Sequence, residues 1–242
     1  MTDNEIEKVD YITEASVAYI EKTKLRASIQ AIPYVGGSLD TLLSGRGAKY
    51  QSERFENFIK DLTERLQRLE GLNIIEPTEP LFDLMMQVFS EVIKTRSEEK
   101  RKYFANLVAN QVVNDRVWDD VETVTRLLAE LTDLHITLLQ AALDAPECDG
   151  VFEGLRIITL TDYQSKDAKQ TPEKPPTNIS LLFPGLSNAA LKMICSELIA
   201  KGLLHDEGIG RWGTVNMQYF FATPMAQWFM DWIAEPKTKL DD

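Results

Sequence analysis

The chain has 242 residues, 44% of them hydrophobic and 26% charged, enough to bury a sizeable core and too polar for a membrane-embedded protein. Lys and Arg number 26 against 38 Asp and Glu, a formal net charge of −12 that repels phosphate backbones at long range unless a local basic patch overrides it. No apolar run approaches the ~20 residues of a spanning helix.

The acidic start, Met1-Thr-Asp-Asn-Glu, lacks the basic-then-apolar layout of a secretory signal. The two cysteines, Cys148 and Cys195, form neither a CxxC nor a paired framework. A cytoplasmic protein with reduced thiols is therefore expected.

From about Asp3 to Gln30, Ile6, Val9, Ile12, Tyr19, Ile20, Leu25 and Ile29 are spaced as in a helix, which Pro33 and Gly36-Gly37 interrupt. A short apolar turn, Ser38 to Leu43, precedes Gly45-Arg-Gly47. Tyr50 to Leu69 is the clearest amphipathic helix, with Phe55, Phe58, Ile59, Leu62, Leu66 and Leu69 at three- and four-residue steps. Pro77 and Pro80 bracket a linker and start a helix bearing Leu81, Leu84, Met85, Val88, Phe89 and Val92. Thr95-Arg-Ser97 before Glu98-Glu99 caps the next, which carries Tyr103, Phe104, Leu107, Val108, Gln111 and Val112. Further helices run from about Val121 to Leu131 and from Thr132 or Asp133 through Leu134, Leu138, Leu139 and Ala142.

After Pro146 the pattern changes. The β-branched run from Leu155 to Thr161 reads as a strand, and the proline-containing stretch at about 163–178 as a mobile loop. Ser187 or Asn188 caps a helix with Leu191, Ile194, Cys195, Leu198 and Ile199, ended by Gly202. Leu203 to Glu207, a Gly208-Ile-Gly210 turn and Met217 to Ala222 make a β-hairpin, and Thr223-Pro224 opens a closing helix with Trp228, Phe229, Trp232 and Ile233 inward. The expected fold is mainly α: a multi-helix N-terminal bundle over 1–131, then a winged-helix-like α+β module over 132–242.

Chemistry is sparse. His135 and His205 have no ligand-spaced partners, so no metal is expected. Cys148 reads as a loop thiol and Cys195 as a core thiol. Gly36-Gly37 and Gly45-Arg-Gly47 lack the Gly-Lys-Ser/Thr of a phosphate loop, and there is no Gly-x-Ser-x-Gly elbow. The acid pairs Glu98-Glu99 and Asp119-Asp120 sit at helix starts, where the backbone dipole favours them. Neither a catalytic group nor a cofactor site is expected, and the chain reads as a non-enzyme.

Two surfaces remain as candidates. A groove-reading helix needs cations, and between Asn178 and Ile233 only Lys192, Lys201 and Arg211 are basic. Asn188, Lys192 and Arg211 form at most a small footprint, so nucleic acid is a disfavoured partner and the winged helix reads as a protein-binding or packing module. The segment containing Ile32, Tyr34, Val35, Leu39, Leu42 and Leu43, followed by Arg46, Lys49 and Arg54, fits a core, a partner helix or peripheral contact with an anionic membrane. A protein partner or self-association is the expectation the side chains favour.

Three pieces of the chain carry a family likeness. They are Ile32-Pro-Tyr-Val-Gly-Gly-Ser-Leu39 before a charged helix, Glu98-Glu-Lys-Arg-Lys-Tyr-Phe-Ala-Asn-Leu-Val-Ala109 with Leu127 to Leu139, and Leu198-Ile-Ala-Lys-Gly-Leu-Leu204 with Tyr219-Phe-Phe-Ala-Thr223 and the closing helix. In that order they resemble the bacterial abortive-infection alpha family. The resemblance implies phage defence or a related stress response by a helical protein with no established catalytic residues. The chain departs in lacking a clear hydrophobic anchor, which counts against a membrane-embedded mode of action.

Overall fold

The computed structural model describes residues 48–69, 78–114, 117–163, 172–208 and 216–236. The fold is mainly helical, with a small four-stranded mixed sheet in its C-terminal part. Two compact units form: Met1–Ala129 with Trp232–Asp242, and Glu130–Asp231.

In the first unit, α1 (Ala48–Arg68), α2 (Glu79–Lys94) and α3 (Glu98–Asn114) pack on one another. The α1 stripe behaves as its spacing predicts: Phe58, Leu62, Leu66 and Leu69 are buried, and Phe55 and Ile59 half-buried. Phe89 of α2 stands edge-on to Phe55 and Phe58, with ring centroids 5.0 and 5.9 Å away, the geometry in which a positive ring edge meets a negative face. Thr78 caps α2 by accepting from Leu81 N, and Ser97 caps α3 by accepting from Lys100 N at 3.0 Å. Buried Arg101 donates to the carbonyls of Thr95 and Arg96, tying down the link between these helices.

α3 is buried on more than one side. Ala105, Asn106, Ala109 and Asn110 are buried beside Phe104, Leu107, Val108 and Val112, and Tyr103 is only half-buried. A helix enclosed on more than one side needs no polar stripe. Its two buried asparagines are satisfied by the far end of the chain: Asn106 Nδ2 donates to Ile233 O at 2.8 Å, and Asn110 Nδ2 to Trp232 O and Ala234 O, each at 2.9 Å. Arg65 of α1 donates to Asn106 Oδ1, and Arg68 pairs with Glu235. α4 (Trp118–Glu130) begins with Asp119 and Asp120 in its first turn, as their sequence placement suggested.

In the second unit, α5 (Asp133–Asp144) leads through β1 (Ile158–Thr159) and β2 (Thr177–Asn178) to α6 (Asn188–Ala200). β3 (Leu204–Asp206), β4 (Tyr219–Ala222) and α7 (Pro224–Ile233) follow. The strand order is β2-β1-β4-β3; β1 runs parallel to β2 and antiparallel to β4, and β3 and β4 are antiparallel with His205 opposite Phe221. The strand expected from Leu155 to Thr161 is two residues long, although Ile157 to Leu160 are all buried. The loop expected at 163–178 ends in β2 rather than running through it. Thr177 and Asn178 pair with Ile158 and Thr159 of β1, a ladder too short to leave a periodic trace.

Side chains alternate along β4. Phe220 is buried where α5 packs on the strand. Tyr219 joins Cys148, Phe152 and Ile157 in a second small core, with Leu155, Tyr163 and Phe221 packed against it. The sheet is therefore lined with apolar side chains on both faces.

Candidate functional site

The segment leading into α6 sets its outward face. Asn178 caps a short 3-10 turn, Ile179–Leu182, accepting from Ser180 N at 3.0 Å. The turn buries Ile179 and, just beyond it, Phe183, which throws Leu181 and Leu182 outward at 77% and 57% exposure. Ser187 then caps α6 by accepting from Ala190 N. Leu191, Ile194, Cys195 and Leu198, at helical spacing, turn into the core. That leaves Asn188, Ala189, Lys192, Met193, Ser196, Glu197 and Ala200 facing outward, with Met193 61% exposed. The helix ends as Gly202 predicts: its φ of +74° suits a residue without Cβ, and Gly202 N and Leu203 N donate to Ile199 O and Leu198 O at 2.9 Å.

One polar group on this face is held from beneath. His135, at 5% exposure, sits at the third position of α5, where its Nδ1 accepts from Thr132 N at 3.2 Å. Nε2 is 2.9 Å from Glu197 Oε2, within ion-pair distance though off the line of a straight hydrogen bond. The Glu197 side chain stays about half exposed. Lys201, just past the helix end, is taken by Glu130.

The hairpin beyond α6 is organised by a buried carboxylate. Asp206 Oδ1 accepts from Gly208 N at 2.9 Å and Oδ2 from Met217 N at 2.7 Å. Burial, with the charge of Asp206 adding to it, pushes the Cys195 thiol up to about 12, so this sulfur is a packing group and no nucleophile at neutral pH. Among the described residues no group of three or more His, Cys, Asp or Glu gathers as a metal site would require.

Of the residues singled out in the sequence, Asn188 and Lys192 both lie on the exposed face of α6. Arg211 and the segment with Ile32, Tyr34, Val35, Leu39, Leu42 and Leu43 lie outside the described residues. Leu181, Leu182, Met193 and Glu197 escaped sequence reasoning. Met193 is within reach of a helical wheel, since it falls nearly opposite Leu191 and Cys195 once those are placed inward; Leu181-Leu182 reads as core by composition alone. No described helix is long and apolar enough to cross a membrane.

No family model matches the chain, and neither the curated proteins nor the solved structures include a match to it.

Proposed function

We propose that this chain is a non-enzymatic, cytoplasmic interaction protein of bacterial phage defence or a related stress response, its C-terminal unit being a winged helix used to bind protein. The observation that carries the reading is the outward face around α6. Met193 is exposed there, and Leu181 and Leu182 on the segment that precedes the helix, with Lys192 as the helix's one outward cation among the described residues. A duplex-reading helix needs several cations and amides, whereas exposed apolar side chains rimmed by single charges are the composition of a protein interface. Support for the winged helix comes from β4 lying between β1 and β3 and from α6 running directly into the β3–β4 hairpin. Support for defence comes from the sequence resemblance to the abortive-infection alpha family.

The test is phage challenge of a bacterial host expressing the chain, compared with Leu182→Asp and Met193→Asp variants shown by circular dichroism to be folded. Protection by the parent and its loss in both variants is the expected result. Equal plaque counts with and without the chain remove the defence reading, and full protection by both variants removes the role of this face.

A further inference from the structure

We propose that α6 is the seam of a homodimer, pairing in parallel with α6 of a second copy so that Lys192 of each copy meets Glu197 of the other. This rests on the reading of α6 as a protein-binding face and names the partner.

The spacing is that of a short two-stranded seam. With Met193 at the first heptad position, Ala189, Ser196 and Ala200 complete the central stripe, and all four are exposed. Leu198, Ile194 and Cys195 fall on the heptad's outer positions and point into the unit's own core. Lys192 and Glu197 then flank the stripe on opposite sides, five residues apart. In a parallel pair a residue on one flank meets the residue five positions on in its partner, so a twofold axis along the helix brings each lysine to the other copy's glutamate.

Three further details suit this pairing, which the self-complementary charges of Lys192 and Glu197 assign to a second copy. Lys192 makes no ion pair among the described residues. Glu197 Oε2 lies 2.9 Å from the buried His135 Nε2, and its Oε1 is unengaged among the described residues. The Ser196 hydroxyl, which would otherwise resist burial, donates to Lys192 O at 2.8 Å within the helix. The exposed face of one 13-residue helix falls well short of the roughly 1,200 Å² of a standard interface, so the dimer is weak and concentration-dependent.

Sedimentation velocity of the full chain, from low to high micromolar concentration at low and high salt, reads this directly. The expected result is a reversible dimer weakened by salt, abolished by Met193→Asp and weakened about tenfold by Lys192→Glu, which turns two attractive pairs repulsive. Mixing Lys192→Glu with Glu197→Lys should restore association, because both charge pairs are attractive in the heterodimer alone. Met193→Cys gives an independent readout that does not disturb His135. Across a parallel seam the two new thiols face each other and form a disulfide dimer under oxidised glutathione, while the native Cys148 and Cys195 are both buried. A chain that stays monomeric throughout, or a dimer indifferent to Met193→Asp and Lys192→Glu, overturns the proposal. In either case loss of phage protection by Met193→Asp would leave the interaction reading standing with a different partner.

Discussion

Asn110, in the middle of α3, donates its side-chain amide to the main-chain carbonyl of Trp232, a residue 122 positions further along the chain. The same amide reaches Ala234 O, and Asn106 one turn earlier takes Ile233 O. Three successive carbonyls at the end of α7, which a helix terminus leaves without intrahelical donors, are thus capped by two side chains of another helix. This is why residues from Trp232 on group with the first unit although α7 begins in the second.

Replacing Asn110 by Ala leaves two carbonyls short of a donor and is expected to cost about 2–3 kcal/mol in urea unfolding. Asn110→Asp is nearly isosteric but sets a carboxylate against those carbonyls, and should be the worse of the two. If Ala were the more damaging, packing volume rather than hydrogen bonding would be what Asn110 supplies. Emission from the buried Trp232 contributes a local signal for the transition.

Asp206 offers a second measure of how a buried polar group shapes the fold. Its carboxylate holds both Gly208 N and Met217 N, and Met217 is the one described non-glycine residue in the left-handed region, with φ of 60°. Asp206→Ala is expected to lose about 3 kcal/mol, from two charge-assisted bonds in a buried place. Asp206→Asn keeps one acceptor and turns a donor towards the other N–H, so its loss should be smaller but still measurable by thermal melting. Equal stability of parent and both variants would show that the hairpin closes without this side chain.

How much of this was visible in the sequence depends on the reach of each contact. The α1 stripe and the buried side of α6 repeat every three or four residues, and a short window contains the whole signal. The acid pairs at helix starts and Gly202 at a helix end are local in the same sense. The carbonyls that Asn106 and Asn110 cap lie more than a hundred positions away, so nothing near those asparagines marks them as buried caps. β2 is two residues long and its pairing is fixed by β1, not by its own composition. The candidate site shows the same division: Asn188 and Lys192 follow from the helix period, whereas the exposure of Leu181 and Leu182 depends on which way Ile179 and Phe183 turn.

The thiol of Cys195 predicts a pH dependence with a definite sign. Its folded-state value, raised from 9.0 to about 12 first by burial and then by Asp206, keeps it protonated where the unfolded chain would have lost its proton. Between these values the unfolded state binds fewer protons than the folded one. The contribution of this group to stability is therefore intact below about pH 9 and falls as pH rises towards 12, by about 1.4 kcal/mol per unit. Cys195→Ala should flatten that part of the unfolding free energy against pH. An unchanged slope in the variant would assign the alkaline loss to other groups. Iodoacetamide at pH 8 should label Cys195 only after unfolding, which mass spectrometry of digests would record.

Duplex binding separates a groove-reading use of α6 from a protein-binding one. Every phosphate neutralised releases counterions, so the logarithm of affinity falls with the logarithm of salt in proportion to the number of cations engaged. Lys192 is the one described cation on the outward face of α6, and Lys201 is held by Glu130; even counting Arg211, which lies outside the described residues, about two remain against a net charge of −12. Two contacts give a salt slope near −2, against the six to ten contacts common in specific binders. No retardation of duplex DNA is expected even at low salt, and Lys192→Glu should change nothing in that assay while weakening the dimer. Retardation that salt removes and that Lys192→Glu and Arg211→Glu each reduce would instead make α6 a groove-reading helix, with Met193 and Leu182 bordering the duplex rather than a second copy.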